Sequence, residues 1–420
     1  MHHKTTLANG VRIISEEVPH LKSVSLGIWV NTGSRDETRS ENGVSHFIEH
    51  MSFKGTRHRD VLQIAKELDI IGGLSNAFTG KENTCFYGRV LGRQFDRLAD
   101  ILSDIFLNST FNPVDMERER EVILQEINMM EDTPDDNLHT LFTGLFWDGH
   151  PIGWPVLGTG ETVSAIGKET ILNYIQKSYV PEEILVVAAG AVDHREMVSF
   201  FRPLFDPLRD RGQDRVGRSA PVSKGGFSTH HKPLEQVHIC LGGEAPSQVD
   251  DRRFACAIFN AILGGNMSSR LFQEIRERRG LVYSVYSFLS TYMDTGLLGI
   301  YAATEAQHLN PLLQTIQTEV VKLCRGDLTE GEVAAAKEHL IGGIYLGSES
   351  ADNRMMRMAK NEFAFGRYVD YEELVSSLEK VGRDDVVAVA GSIFKDREIS
   401  FSALGPVGGD AIDRELLQYH

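Results

Sequence analysis

Cys85-Phe86-Tyr87-Gly88-Arg89-Val90 reads as a strand, and the run from Phe95 to Phe106 behind it has helical periodicity. The same order returns downstream, where Leu297-Leu298-Gly299-Ile300-Tyr301-Ala302 precedes a helical stretch from Leu309 to Leu323. After each comes a turn and a charged helix: Pro113 to Met130 in the first half, Leu328 to Tyr345 in the second. Each half therefore reads as α+β, a mixed or antiparallel sheet with helices covering one face. A repeat of roughly 200 residues is far too long for a solenoid unit, so two homologous domains are expected. The stretch after Phe205, Asp-Pro-Leu-Arg-Asp-Arg-Gly-Gln-Asp-Arg-Val-Gly-Arg-Ser-Ala-Pro, is polar and rich in breakers, as a linker is. The expected boundaries are a first domain over 1–208, a linker over 209–225 and a second domain over 226–420.

Composition narrows the function classes. Among 420 residues, 43 Lys+Arg against 59 Asp+Glu leave a formal net charge of −16, with a pI near 5.4. That balance argues against a general nucleic-acid binder, which needs a basic face. No apolar run approaches the ~18 residues of a membrane span. Met1 to Thr6 has neither a secretory h-region nor the Arg/Ser-rich character of a transit peptide. The cysteines, Cys85, Cys240, Cys256 and Cys324, fit no metal or disulfide spacing. A bacterial cytoplasm is the expected home, with a mature mitochondrial matrix form as the alternative.

The chemistry concentrates in Gly43-Val44-Ser45-His46-Phe47-Ile48-Glu49-His50-Met51. On a helix, His46 and His50 stand one turn apart on one face, with Glu49 beside them. Two imidazoles so placed can bind Zn²⁺, and the carboxylate can take a proton from a metal-activated water. The pattern is H-x-x-E-H, the zincin motif in reversed order. The bland alternative is a surface helix with two solvated histidines. A third ligand is needed, and the acidic helix from Glu117 to Ile127 offers Glu119 and Glu126, two turns apart on one face. Val122, Ile123 and Ile127 would supply its apolar contacts.

His46-x-x-Glu49-His50 followed by Glu126 resembles the pitrilysin-type inverzincin metallopeptidases. The resemblance is to the short-chain branch containing the mitochondrial processing peptidase β subunit and its bacterial relatives. Glu49-His50-Met51-Ser52-Phe53-Lys54-Gly55-Thr56, Asn76-Ala77-Phe78-Thr79 and Met267 to Phe272 followed by Arg276 and Tyr283 carry it further, over about residues 5–405. It implies a clamshell of two α+β domains around a chamber, one zinc per chain on His46, His50 and Glu126, Glu49 as general base, and Glu119 supporting the site from behind. It also implies that Phe53 lines the pocket for the residue after the cut, and that Arg276 and Tyr283 hold substrate from the second domain. Leu74 to Thr79 reads as an edge strand that could take an unfolded peptide as an added strand through Asn76, Ala77 and Phe78.

The resemblance thus points to a zinc endopeptidase acting on unfolded peptides or presequence-like segments, assembled as a homodimer, with a heterodimer as the alternative. The rival readings are a non-catalytic scaffold subunit and a processing subunit that needs a separate partner chain. Two-His, one-Glu sites also tolerate Mn²⁺ or Co²⁺. Ser52 and Asn266 depart from the family pattern without touching a ligand or the base. Gly264 to Ser269 lacks the P-loop ending and reads as a gating turn. The second half has no H-x-x-E-H around Ile258 to Asn266, so one metal site per chain is expected.

Overall fold

A computed structural model describes residues 1–209, 217–395 and 398–419. The first sheet contains β1 (His2–Thr6), β2 (Arg12–Glu17), β3 (Ser23–Val30), β4 (Leu74–Thr79), β5 (Thr84–Leu91) and β6 (Ile184–Gly190), in the order β1-β2-β6-β3-β5-β4. The second contains β7 (Phe227–His231), β8 (Val237–Ala245), β9 (Ser284–Thr291), β10 (Gly296–Thr304) and β11 (Ser400–Gly405), in the order β7-β11-β8-β10-β9. With β1 set aside, the two orders are identical strand for strand. Each sheet has a single parallel pair, β2 with β6 and β7 with β11, and every other neighbour is antiparallel. The internal repeat read from the sequence is therefore a repeat of mixed-sheet topology.

The helices of the first half are α1 (Val44–Ser52), α2 (Val61–Ile70), α3 (Phe95–Asn108), α4 (Pro113–Asp132) and α5 (Pro134–Phe146), followed by shorter ones and by Lys168–Ser178 and His194–Phe205. The chain forms two compact units that do not follow its halves. The first is Met1–Met129, Trp154–Arg218 and Leu346–Val369; the second is Met130–Gly153, Ser219–Tyr345 and everything from Asp370. Each unit thus takes one helix from the other half of the sequence, so the compact units are not consecutive blocks of chain. The described part of the expected linker is divided too: Arg218 belongs to the first unit and Ser219 to the second. Residues 210–216 of that linker lie outside the described residues.

These transferred helices correct the expectation that helices cover one sheet face. In the first unit, Leu26, Ile28, Val186 and Ala188 pack against Leu98 and Leu102 of α3 and Phe201. On the opposite face Trp29, Leu185 and Val187 pack against Met355, Met358 and Ala359 of the helix Ala351–Phe365. Trp29 Nε1 donates to Met355 Sδ at 3.4 Å. Gly27 permits this approach, because a Cβ there would stand 2.9 Å from that sulfur. In the second unit α5 has the matching place, with Leu138, Phe142 and Phe146 against Cys240, Leu297 and Tyr301. The physical reason is legible in β3 and β10: Val24 to Val30 and Gly296 to Thr304 are buried without interruption, as strands covered on both faces must be. Among the described residues no helix is long and apolar enough to cross a membrane.

Candidate functional site

α1 forms because Val44, Phe47, Ile48 and Met51 recur at helical spacing, and all four are buried. They pack against Met116, Ile123 and Ile127 of α4 and Ile171 and Tyr174 of Lys168–Ser178. Pinning α1 and α4 by these apolar faces leaves His46, Glu49 and His50 on the remaining side of α1, with Glu119 and Glu126 of α4 opposite. Val122 does not join the apolar contact that the sequence suggested; it is 40% exposed, while Ile123 and Ile127 carry the packing.

The ligand atoms of His46, His50 and Glu126 all lie within 4.8 Å of one another. Glu126 Oε2 stands 3.7 Å from His46 Nε2 and 3.4 Å from His50 Nε2. Three donors at about 2.0–2.1 Å from one tetrahedral zinc ion would be separated by about 3.3 Å, so the cluster has the right dimensions. Burial first, and the neighbouring His50 second, push the His46 imidazole down to about 3, which keeps it neutral and its lone pair available. At 3.7 Å, with the imidazole neutral, its contact with Glu126 is not an ion pair, and one tautomer turns the Nε2 lone pair toward the carboxylate, where a cation would be shared by both. His46 Nδ1 is buried without a hydrogen-bond partner. The trio is the one such group of His, Cys, Asp or Glu among the described residues.

Behind the trio stands a second layer. His50 Nδ1 is 3.2 Å from Glu119 Oε2, and as the donor there it leaves Nε2 as the lone-pair atom facing Glu126. Lys54 Nζ pairs with the other Glu119 oxygen at 2.7 Å. Glu49 is held separately: Thr79 Oγ1 donates to its Oε2 at 2.6 Å. Burial raises the Glu49 carboxyl, and the Thr79 bond and His50 oppose that rise. A carboxyl so poised suits a proton acceptor.

The other sequence candidates fall in two places. Asn76, Ala77 and Phe78 lie on β4, which among the described residues pairs only with β5 and so ends the sheet. Asn76 is exposed and Ala77 buried, while Phe78 packs edge-on against Trp29. Phe53, at the end of α1, is half-buried with its ring 6.4 Å from that of Phe86. All of these share the first unit with the trio. Arg276 and Tyr283 belong to the second unit. There the Arg276 guanidinium lies 5.1 Å from the centre of the Tyr283 ring, which is 81% exposed. The turn at Gly264 to Ser269 is shaped by Asn266, whose Oδ1 accepts from Ser268 N at 2.9 Å. Lys54 and Thr79 carry no sequence signal for these roles, because only the fold brings them to Glu119 and Glu49.

Comparison with known proteins places the chain in a family. Residues 12–160 match the family model described as Insulinase (Peptidase family M16), and residues 165–340 match the Peptidase M16 inactive domain. A Streptomyces coelicolor protein named as an uncharacterized zinc protease is 39% identical over 96% of this chain and 89% of its own length. A Bacillus subtilis protein of the same name is 37% identical over 97% of this chain and 99% of its own. The crystal structure of a protease from Helicobacter pylori superposes with a TM-score of 0.90 at 21% identity, covering 97% of this chain and 99% of that one.

Proposed function

The chain belongs to the insulinase family, peptidase family M16, and from that premise we propose that it is a zinc-dependent endopeptidase acting on unfolded peptides. The observation that carries the reading is the convergence of His46 Nε2, His50 Nε2 and Glu126 Oε2 beside a carboxylate, Glu49, held in place by Thr79. The relatives named as zinc proteases support it. His46, His50 and Glu126 would hold the zinc, which when bound would polarise a peptide carbonyl and lower the pKa of water enough to make it a nucleophile near neutral pH. Glu49 accepts the proton as the water oxygen bonds to the carbonyl carbon, and returns it to the amine nitrogen as the C–N bond breaks. Glu119, through His50 Nδ1, keeps the His50 ring in its ligating orientation.

Substrate would add to the free edge of β4, using main-chain hydrogen bonds that require an extended segment and tolerate many side chains. In this reading Phe53 borders the residue after the cut, and Arg276 and Tyr283 take part in holding the substrate. One zinc per chain, assembly as a homodimer and residence in the bacterial cytoplasm complete the proposal and rest on the family resemblance.

Metal removal tests it. The purified chain is expected to cleave a basic, unfolded peptide of ~20 residues, to lose that activity to a chelator and to regain it with zinc. A chain that takes up no zinc would overturn the enzyme reading and leave the scaffold. Zinc uptake without cleavage would favour the processing subunit that needs a partner.

A further inference from the structure

α1 starts without a cap of its own. Its first residue outside the helix is Gly43, with φ of 97° and no side chain to accept a hydrogen bond. Glycine is demanded there twice over, by the left-handed backbone and because a Cβ would stand 2.8 Å from the Leu157 carbonyl oxygen. The first N–H groups of the helix therefore need an acceptor from elsewhere. Glu37 supplies it. Its Oε2 accepts from Gly43 N at 2.8 Å and from Asn42 Nδ2 at 3.0 Å, and its Oε1 accepts from Ser45 N at 2.9 Å.

Glu37 is 3% exposed, so this is a buried carboxylate at the positive end of the helix dipole. Burial outweighs the donors and raises the carboxyl to about 7; those donors are what favour its ionised form near neutrality. A second tie is made at the same residue: Ser45 Oγ donates to Tyr174 Oη at 2.9 Å, and Tyr174 donates to the Gly33 carbonyl at 3.2 Å. Ser45 immediately precedes His46, so any slip of the anchored amide moves the imidazole with it.

We propose that Glu37 is a positioning residue of the metal centre: its carboxylate holds the start of α1 so that His46 and His50 present their Nε2 atoms to Glu126. The inference rests on the metal reading above and adds a residue that touches none of the reacting atoms.

Glu37→Gln is the test, because it keeps the shape while placing an NH₂ against at least one of the converging N–H donors. Zinc affinity, read by competition with a chromophoric chelator, is expected to fall about tenfold or more, with faster hydrogen exchange in residues 43–52 of the zinc-free chain. Ile13→Val, a conservative cut in the buried core of β2, controls for general loss of stability and is expected to leave zinc affinity unchanged. Wild-type affinity in Glu37→Gln would overturn the proposal, as would equal losses of affinity in Glu37→Gln and Ile13→Val. If Glu37→Gln does not fold, Glu37→Asp keeps the charge on a shorter arm and is expected to lose a few-fold; no loss there would overturn the proposal. Should the wild type itself take up no zinc, the metal reading falls, and exchange over 43–52 still decides the anchor: rates unchanged by Glu37→Gln sink it.

Discussion

Removing the Glu119 side chain tests the second layer of the site without touching a ligand. His50 Nδ1 has Glu119 Oε2 at 3.2 Å, and the two side chains are 17% and 9% exposed, so water replaces the lost acceptor poorly. In Glu119→Ala the imidazole loses the bond that selects its tautomer, and Lys54, 2.7 Å from the other oxygen, is left as an uncompensated charge beside the cation site. An unsatisfied donor of this kind costs about 1–3 kcal/mol, which at about 1.4 kcal/mol per tenfold is roughly a 5- to 140-fold loss of zinc affinity. Glu119→Gln retains an acceptor oxygen and drops only the charge, so its loss should be smaller, about tenfold or less. Chelator competition measures both, with circular dichroism confirming that each variant is folded. A folded Glu119→Ala that binds zinc within about twofold of wild type would refute the reasoning that links Glu119 to His50.

Other consequences can be checked as directly. Thr79→Val is nearly isosteric and deletes the 2.6 Å bond to Glu49; kcat should fall about tenfold with bound zinc unchanged. Because that bond favours ionised Glu49, its loss should also move the acid limb of the kcat/KM profile to higher pH, the direction in which a base with a raised pKa shifts it. An unmoved limb with unchanged kcat would count against Thr79. Met355 is fully buried against the sheet of the first unit, so Met355→Ala should cost about 2–5 kcal/mol in urea unfolding. A loss below about 1 kcal/mol would contradict the two-face packing of that sheet.

How far the sequence reveals this molecule depends on whether a signal is local. Strand and helix periodicity placed the elements well: the helix expected over Phe95 to Phe106 runs Phe95–Asn108, and the one over Leu309 to Leu323 runs Leu309–Cys324. The apolar face of α5 announces burial, yet Leu138, Phe142 and Phe146 say nothing about which sheet receives them. The exchange of helices between halves was therefore invisible, although the unbroken apolar run of β3 hints that its second face needs a cover. At the site, helical geometry alone aligns His46, Glu49 and His50. Glu126 is one acidic residue among several on α4 until family resemblance selects it, and the structure then brings it to the histidines. Glu37 lay beyond reach because it caps α1 from an irregular segment, where no periodicity links an acceptor to its helix.

The central claim is that the carboxylate beside the histidine pair moves the proton while the other three side chains hold the metal. Glu49→Gln separates the two roles, since it preserves size and leaves His46, His50 and Glu126 untouched. Zinc content and cleavage of the same unfolded peptide should be measured together on wild type and variant. Glu49→Gln should hold near wild-type zinc with activity reduced by at least about 10²-fold. Full activity in a zinc-loaded Glu49→Gln protein would contradict it.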